Sequence, residues 1–133
     1  MEIAFNEARG RKRAWSAVLC LLSCLMAAVA SSCTMPIIEI GNPDLAAVRD
    51  GTWEGYYDAE LVKAKVAVVM EAHVIKSVTV LEHDCSSIGK KAERIVNDIV
   101  ARQSLDVDVV SGATGSSQCI LKATELALRR GME

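Results

Sequence analysis

The chain has 133 residues, enough for one domain and a leader but not for a second catalytic domain. Its formal net charge is −2, and because residues 1–33 hold Glu2 and Glu7 against Arg9, Arg11, Lys12 and Arg13, the remainder carries −4. A weakly acidic body excludes the usual grip on nucleic acid, which needs a basic face to neutralise phosphates.

The first element in the chain is a leader. A basic block over residues 9–13 precedes 17 uncharged residues, 14–30, and then Ser31, Ser32 and Cys33. This order predicts an export signal over residues 1–33. Three outcomes fit it. Small residues before Cys33 resemble a lipobox, which would leave Cys33 lipid-modified, although Ala30 stands where that pattern prefers Leu. Ala28-Val29-Ala30 offers an ordinary cleavage site, and the apolar run is just long enough to stay as a membrane anchor. Each outcome puts residue 34 onward outside the cytoplasm, and the lipid and the anchor both attach it to a bacterial membrane.

Residues 34–49 contain both prolines, Pro36 and Pro43, with Gly41 and Asn42, and read as a tether. The body follows over residues 50–131. Asp50-Gly51-Thr52-Trp53-Glu54-Gly55 is a turn entering a strand that runs through Tyr56 and Tyr57. Val66, Val68 and Met70 then alternate with Ala67 and Val69. Val74, Lys76, Val78 and Val80 alternate with Ser77, Thr79 and Leu81, so the two runs predict an antiparallel hairpin. Its turn, Glu71-Ala72-His73, lacks the Asn-Gly or Asp-Gly of a tight primed turn.

After residue 88 the period changes. Ala92, Ile95, Val96, Ile99, Val100 and Gln103 recur at helical spacing, with Lys90, Lys91, Arg94, Asp98 and Arg102 on the other side. That predicts an amphipathic helix of about four turns, capped by Ser86 or Ser87. A last helix begins at an N-cap supplied by Ser116 or Ser117. Ile120, Leu121, Ala123, Ala127 and Leu128 form its apolar face, Lys122, Glu125 and Arg129 face water, and Gly131 ends it. The fold class is α+β: a small antiparallel sheet packed by two helices, with a loop between the helices and the export segment ahead of the body.

That loop, Asp108-Val109-Val110-Ser111-Gly112-Ala113-Thr114-Gly115-Ser116-Ser117, holds the candidate site. A loop entering a helix N-terminus presents unpaired N–H groups and the positive end of the dipole, which favours an anion. Gly112 lets the backbone approach closely and Ala113 adds little bulk. Ser111, Ser116 and Ser117 can donate to phosphate oxygens. Thr114 supplies a hydroxyl that is unactivated alone, with only Asp108 as a nearby base.

The loop resembles the flavinylation motif Asp-x-x-(Ser/Thr)-Gly-Ala-Thr of the FMN-binding domain family, in which the final Thr carries FMN through a phosphoester. The resemblance extends over about residues 50–131, taking in Asp50-Gly51-Thr52-Trp53-Glu54-Gly55, Leu81-Glu82-His83 and Gln103-Ser104-Leu105-Asp106-Val107-Asp108. Related domains occur in the C subunit of the sodium-pumping quinone reductase and the G subunit of the Rnf complex. It implies covalent FMN on Thr114, held by Asp108, Ser111, Gly112, Ala113, Ser116 and Ser117, with His83 near the ring. It implies as partners a flavin transferase using FAD and magnesium, and a membrane redox protein. Two stretches depart from the family: Asp84-Cys85-Ser86-Ser87-Ile88-Gly89 replaces an acidic-Thr-Pro-Gly run, and the hairpin turn lacks its Gly.

Other readings stand beside this one. The chain could be an electron carrier, an FMN-holding subunit of a larger redox complex, or an exported binding or structural lipoprotein without cofactor. Cys20 and Cys24 lie in the apolar leader, so only Cys85 and Cys119 could make a thiol redox pair, and two unpaired thiols fit as well. His83 serves either the flavin or only an exposed strand end, and His73 belongs to the turn. Neither histidine has a partner at metal-ligand spacing. Trp53, Tyr56 and Tyr57 either stack on a flavin ring or pack the strand.

Overall fold

A computed structural model describes residues 37–133; the export segment expected over residues 1–33 lies outside the described residues. Three strands form one antiparallel sheet in the order β1 (Gly51–Asp58), β2 (Lys63–Glu71), β3 (Val74–Asp84). Two α-helices follow, α1 (Ile95–Arg102) and α2 (Thr114–Arg130), with a 3₁₀-helix over Gly89–Arg94 leading into α1. The α+β architecture expected from the sequence is present. Among the described residues no helix is long and apolar enough to cross a membrane.

The central strand obeys its period. Ala64, Val66, Val68 and Met70 are buried beneath the helices, while Lys63 and Lys65 lie on the other face and pair with Asp58 and Glu54 of β1 at 3.1 and 3.0 Å. The third strand departs from the expected alternation. Lys65 pairs with Glu82 and Val66 with Val80, while Val69 pairs with Ser77 and Met70 with Ile75, which leaves Leu81 and Lys76 as bulged residues. Those two extra residues reset the phase. Ile75 and Val78 point into the core and Val74 is exposed.

The hairpin turn is a tight two-residue one after all. Ala72 and His73 take φ of 52° and 60°, the left-handed pair that a primed turn requires. Asp50 compensates for the missing glycine, its carboxylate accepting from Ala72 N–H at 2.9 Å and His73 N–H at 3.1 Å. Those two backbone donors hold the Asp50 carboxyl below its ordinary value. His73 is a turn residue, with Nδ1 3.1 Å from the Val48 carbonyl oxygen.

Helix α2 crosses the sheet with its backbone against β1. A Cβ at Gly55 would strike the Ala123 carbonyl and lie 2.6 Å from Ala127 N, so only glycine allows this approach. Cys119, Ile120, Ala123, Ala127 and Leu128 then fill the interface together with the buried row of β2. Glu125, expected to face water, is buried instead. Its Oε2 accepts from Gly41 N–H at 2.9 Å and from Lys122 Nζ at 2.8 Å, and its Oε1 accepts from Arg129 Nε at 2.7 Å.

That network also corrects the tether. Lys122 donates to the Glu39 carbonyl, Leu105 N–H donates to Asn42 Oδ1, Val48 is fully buried, and Arg49 N–H donates to the Gly131 carbonyl. Residues 39–49 are therefore packed onto the body. The residues that hold them lie far along the chain, which is why local composition alone reads as a tether.

Candidate functional site

Helix α1 is shorter than the expected four turns. Its first part is the 3₁₀-helix, where Ser86 Oγ accepts from Gly89 N–H at 3.3 Å but Ile88, the capping position, contributes no side-chain bond. Gly89 packs against the start of α2: a Cβ there would lie 2.5 Å from Ser116 Oγ and 2.9 Å from Cys85 Cβ. At the other end, Gln103 takes a left-handed φ of 53° and turns the chain toward the motif. Its amide acts as a surrogate strand, accepting from Ile75 N–H at 2.8 Å and donating to the Ile75 carbonyl at 2.9 Å. The lead-in to the loop is thus fixed to β3 and, through Leu105, to Asn42.

The expected N-cap of the last helix is displaced by the structure. Helix α2 begins at Thr114, with Ala113 at the cap and no side-chain cap bond, so Ser116 and Ser117 lie inside its first turn. The reason is local. Ser117 Oγ donates to the Ala113 carbonyl at 2.9 Å and accepts from Val110 N–H at 3.0 Å, which winds the chain back one further turn. Ala113 N–H also donates to the Val110 carbonyl at 2.9 Å. Ser117 is fully buried and its hydroxyl proton is committed, so it positions the loop and has no donor left for a phosphate.

The other expected residues divide by exposure. Ser116 is buried and faces Gly89 and Cys85, and Ala113 is buried beneath the loop. Ser111, Gly112 and Thr114 are exposed at the loop's tip, where Gly112 has φ 78° and open space around the position a Cβ would take. Asp108 is 97% exposed in its side chain and 3.6 Å from Arg102 Nη2. The structure therefore brings together Ser111, Gly112 and Thr114 on one surface, with the N–H groups of Thr114, Gly115 and Ser116 lacking intrahelical acceptors.

His83 is not an exposed strand end. Its side chain is 2% exposed, its Nδ1 lies 3.1 Å from Glu93 Oε1 and 3.5 Å from Cys85 Sγ, and its buried Nε2 has no hydrogen-bond partner among the described residues. Cys85 and Cys119 both carry free thiols. Burial, reinforced by Glu93, pushes Cys85 above its ordinary value, and burial pushes Cys119 up to about 11. Neither thiol is activated as a redox nucleophile would be. The aromatic residues pack or bond locally: Trp53 Nε1 donates to the Arg49 carbonyl at 2.9 Å under the Arg49 guanidinium, and Tyr56 bonds Asp58. Sequence reasoning missed Ser117 and Gln103 as positioning residues, and Arg94 and Asn97 as lining of a cavity beside the loop. A serine four residues after a buried alanine carbonyl was the available signal for the first.

The chain is similar in sequence to known proteins. An uncharacterized protein of Treponema pallidum (strain Nichols) is 34% identical over 87 residues, covering 64% of this chain. The chain spans only 24% of that relative's length. Residues 59–129 match the FMN-binding domain, a stretch that begins just after β1 and takes in β2, β3, α1, the motif loop and all but the last residue of α2. With more than half of its length matched, the chain belongs to the FMN-binding domain family and is a flavin-binding protein.

Proposed function

We propose that the protein carries FMN joined by a phosphoester to Thr114 and serves, outside the cytoplasm and attached to a membrane, as an electron carrier. The observation that carries this reading is the uncapped start of α2, where the exposed Thr114 stands among N–H groups without acceptors among the described residues. The residues present suit the group. A phosphate at Thr114 would meet the N–H donors and helix dipole, and Ser111 and Gly112 leave room beside it. When bound, FMN supplies one- and two-electron transfer.

Thr114 has no base of its own. Asp108 is solvent-exposed and turned toward Arg102, so attachment falls to a flavin transferase. With magnesium, that enzyme joins the Thr114 oxygen to the FMN phosphorus of FAD; the diphosphate bond breaks, AMP leaves, and the hydroxyl proton passes to the transferase. The chain's own part is to hold Thr114 outward, through Ser117 beneath the loop. A covalent link suits an exported carrier because a tethered cofactor keeps its effective concentration when the surrounding pool is dilute. Export and attachment through Cys33 or an uncleaved helix are part of the same reading.

Co-expression with a flavin transferase tests it. Intact mass should rise by one FMN, and the denatured band should fluoresce under ultraviolet light. Thr114→Ser should keep some flavin and Thr114→Val should lose it at nearly unchanged shape. Equal flavin in the Val variant refutes the linkage.

A second reading has one observation in its favour. The Treponema relative is about four times longer than the matched stretch, so a similar stretch also occurs within a larger chain. On that reading the protein holds FMN for a larger membrane redox complex, and affinity purification from the membrane at native level would recover stoichiometric redox subunits.

A further inference from the structure

The end of β3, the 3₁₀-helix and the first turn of α2 meet at Gly89. A Cβ built there would lie 2.5 Å from Ser116 Oγ, 2.9 Å from Cys85 Cβ and 3.0 Å from Cys85 Sγ. The contact closes because residue 89 has no side chain, and any side chain there forces a neighbour to move. Ser116 is the member of this contact that also belongs to the site. Its N–H is one of the three at the start of α2 without an intrahelical acceptor, while its buried hydroxyl faces Gly89.

Which neighbour yields decides the consequence. Cys85 is backed from behind: its sulfur lies 3.5 Å from His83 Nδ1, and that nitrogen is 3.1 Å from Glu93 Oε1 on a side chain only 2% exposed. Gly89 N–H donates to Ser86 Oγ at 3.3 Å, and Ala92, one 3₁₀ turn on, is fully buried. The turn that carries Gly89 is thus closed on itself. The first turn of α2 is less restrained, since its leading N–H groups make no helical bond and Ala113 supplies no side-chain cap. Ser117 ties that turn to the motif loop and not to the 3₁₀-helix. Bulk added at residue 89 therefore displaces Ser116, and with it the donors beside Thr114.

We infer that Gly89 is a positioning residue for the flavin phosphate, setting through Ser116 where the free N–H groups of α2 stand relative to Thr114. The inference rests on the reading that FMN is carried at Thr114, and assigns part of that task to a residue outside the motif loop. Because Gly89 acts through Ser116, substitutions at the two positions are coupled and not additive.

The test uses the full chain in detergent with a flavin transferase, FAD and magnesium. Rate of FMN mass gain, urea midpoint and the phosphorus NMR resonance of the attached group are measured. The proteins are the parent, Gly89→Ala, Ser116→Ala, the double variant and Val48→Ala, whose buried site lies against Gly131 at the far end of α2. Gly89→Ala should load about tenfold more slowly and, once loaded, shift the phosphorus resonance. In the Ser116→Ala background the same glycine substitution should cost at most about threefold, because the oxygen that it would strike is gone. Val48→Ala should lower the urea midpoint and leave loading and resonance as in the parent.

An equal cost of Gly89→Ala in both backgrounds would overturn the inference, leaving the strain within residues 85–89. So would parent loading by folded Gly89→Ala, or slow loading by Val48→Ala at an equal urea midpoint. If Gly89→Ala does not fold, a folded double variant supports the coupling. If neither folds, Ser116→Thr decides, since it adds a methyl group to the same contact from the α2 side: slow loading with a shifted resonance supports the inference, and parent behaviour overturns it. A parent chain that gains no FMN mass defeats the attachment reading and this inference with it, whereas a loaded parent with additive substitutions defeats this inference alone.

Discussion

Helix α2 carries two polar regions of opposite character. Around Glu125, in its middle, both carboxylate oxygens are used and the side chain is 2% exposed. At its start Thr114 is exposed, as is Ser111 in the loop just before it, and the first N–H groups have no intrahelical acceptor. A buried carboxylate persists only when its partners are complete, so the Glu125 network belongs to the fold. Polar groups left open on a rigid, water-facing helix end cost the fold little and remain available to a ligand. The state of satisfaction, rather than residue type, separates scaffold from site.

Breaking the closed region should have the largest effect. Glu125→Ala removes the acceptor for Gly41, Lys122 and Arg129 together. Losing one partner of a buried ion pair costs up to about 5 kcal/mol, but Lys122 and Arg129 can turn to solvent, so a loss of about 2–3 kcal/mol in urea unfolding is expected. Thr114 lies about three turns away on the same helix, so flavin content in the variant that still folds should match the parent.

The same region predicts an acid dependence. Burial alone would raise Glu125, but the Lys122 ammonium, the Gly41 N–H and the Arg129 guanidinium outweigh it and hold the carboxyl below its ordinary 4.5. A depressed folded value means that the stabilisation is complete above the unfolded value and is lost as pH falls through the folded one. Melting temperature should therefore fall as pH drops below about 4.5, and Glu125→Gln should fall less steeply. Equal slopes in the two proteins would place the acid sensitivity elsewhere, with Asp50 and Asp58 the next carboxyls to vary.

Much of this contrast was legible in the chain, and the rest was hidden for identifiable reasons. The alternation of β2 was readable because one face of the strand is buried along its length and the other is not. The phase of β3 was not, because Lys76 and Leu81 bulge and no local residue announces it. The motif loop was readable from its own residues, yet the helix start was misplaced because Ser117 bonds backward to Ala113 instead of capping forward. Glu125 looked like a water-facing residue between Lys122 and Arg129, and the burying contact with Gly41 comes from 84 residues away. Local chemistry is written locally, whereas satisfaction by a distant backbone donor is not.

Ser117 sits between the two regions and sharpens the boundary. Ser117→Ala leaves the buried Val110 N–H without its acceptor and should cost about 1–2 kcal/mol. Because the lost bond shapes the loop, flavin loading by a transferase should also slow, in contrast to Glu125→Ala. Stability loss without slower loading would show that the loop keeps its form without the staple.

Ser111→Ala asks the smallest question of stability. The side chain is exposed and makes no hydrogen bond to the described residues, so unfolding free energy should stay within about 0.5 kcal/mol of the parent. Any effect should fall on the flavin instead, as a slower rise of the FMN mass during loading with Thr114 still present. A clear stability loss would mean that Ser111 is bound into the loop and that the open surface is narrower than its exposure indicates. Unchanged stability and unchanged loading together would confine the open region to Thr114 and the backbone donors behind it, making the helix start alone the anion-holding element.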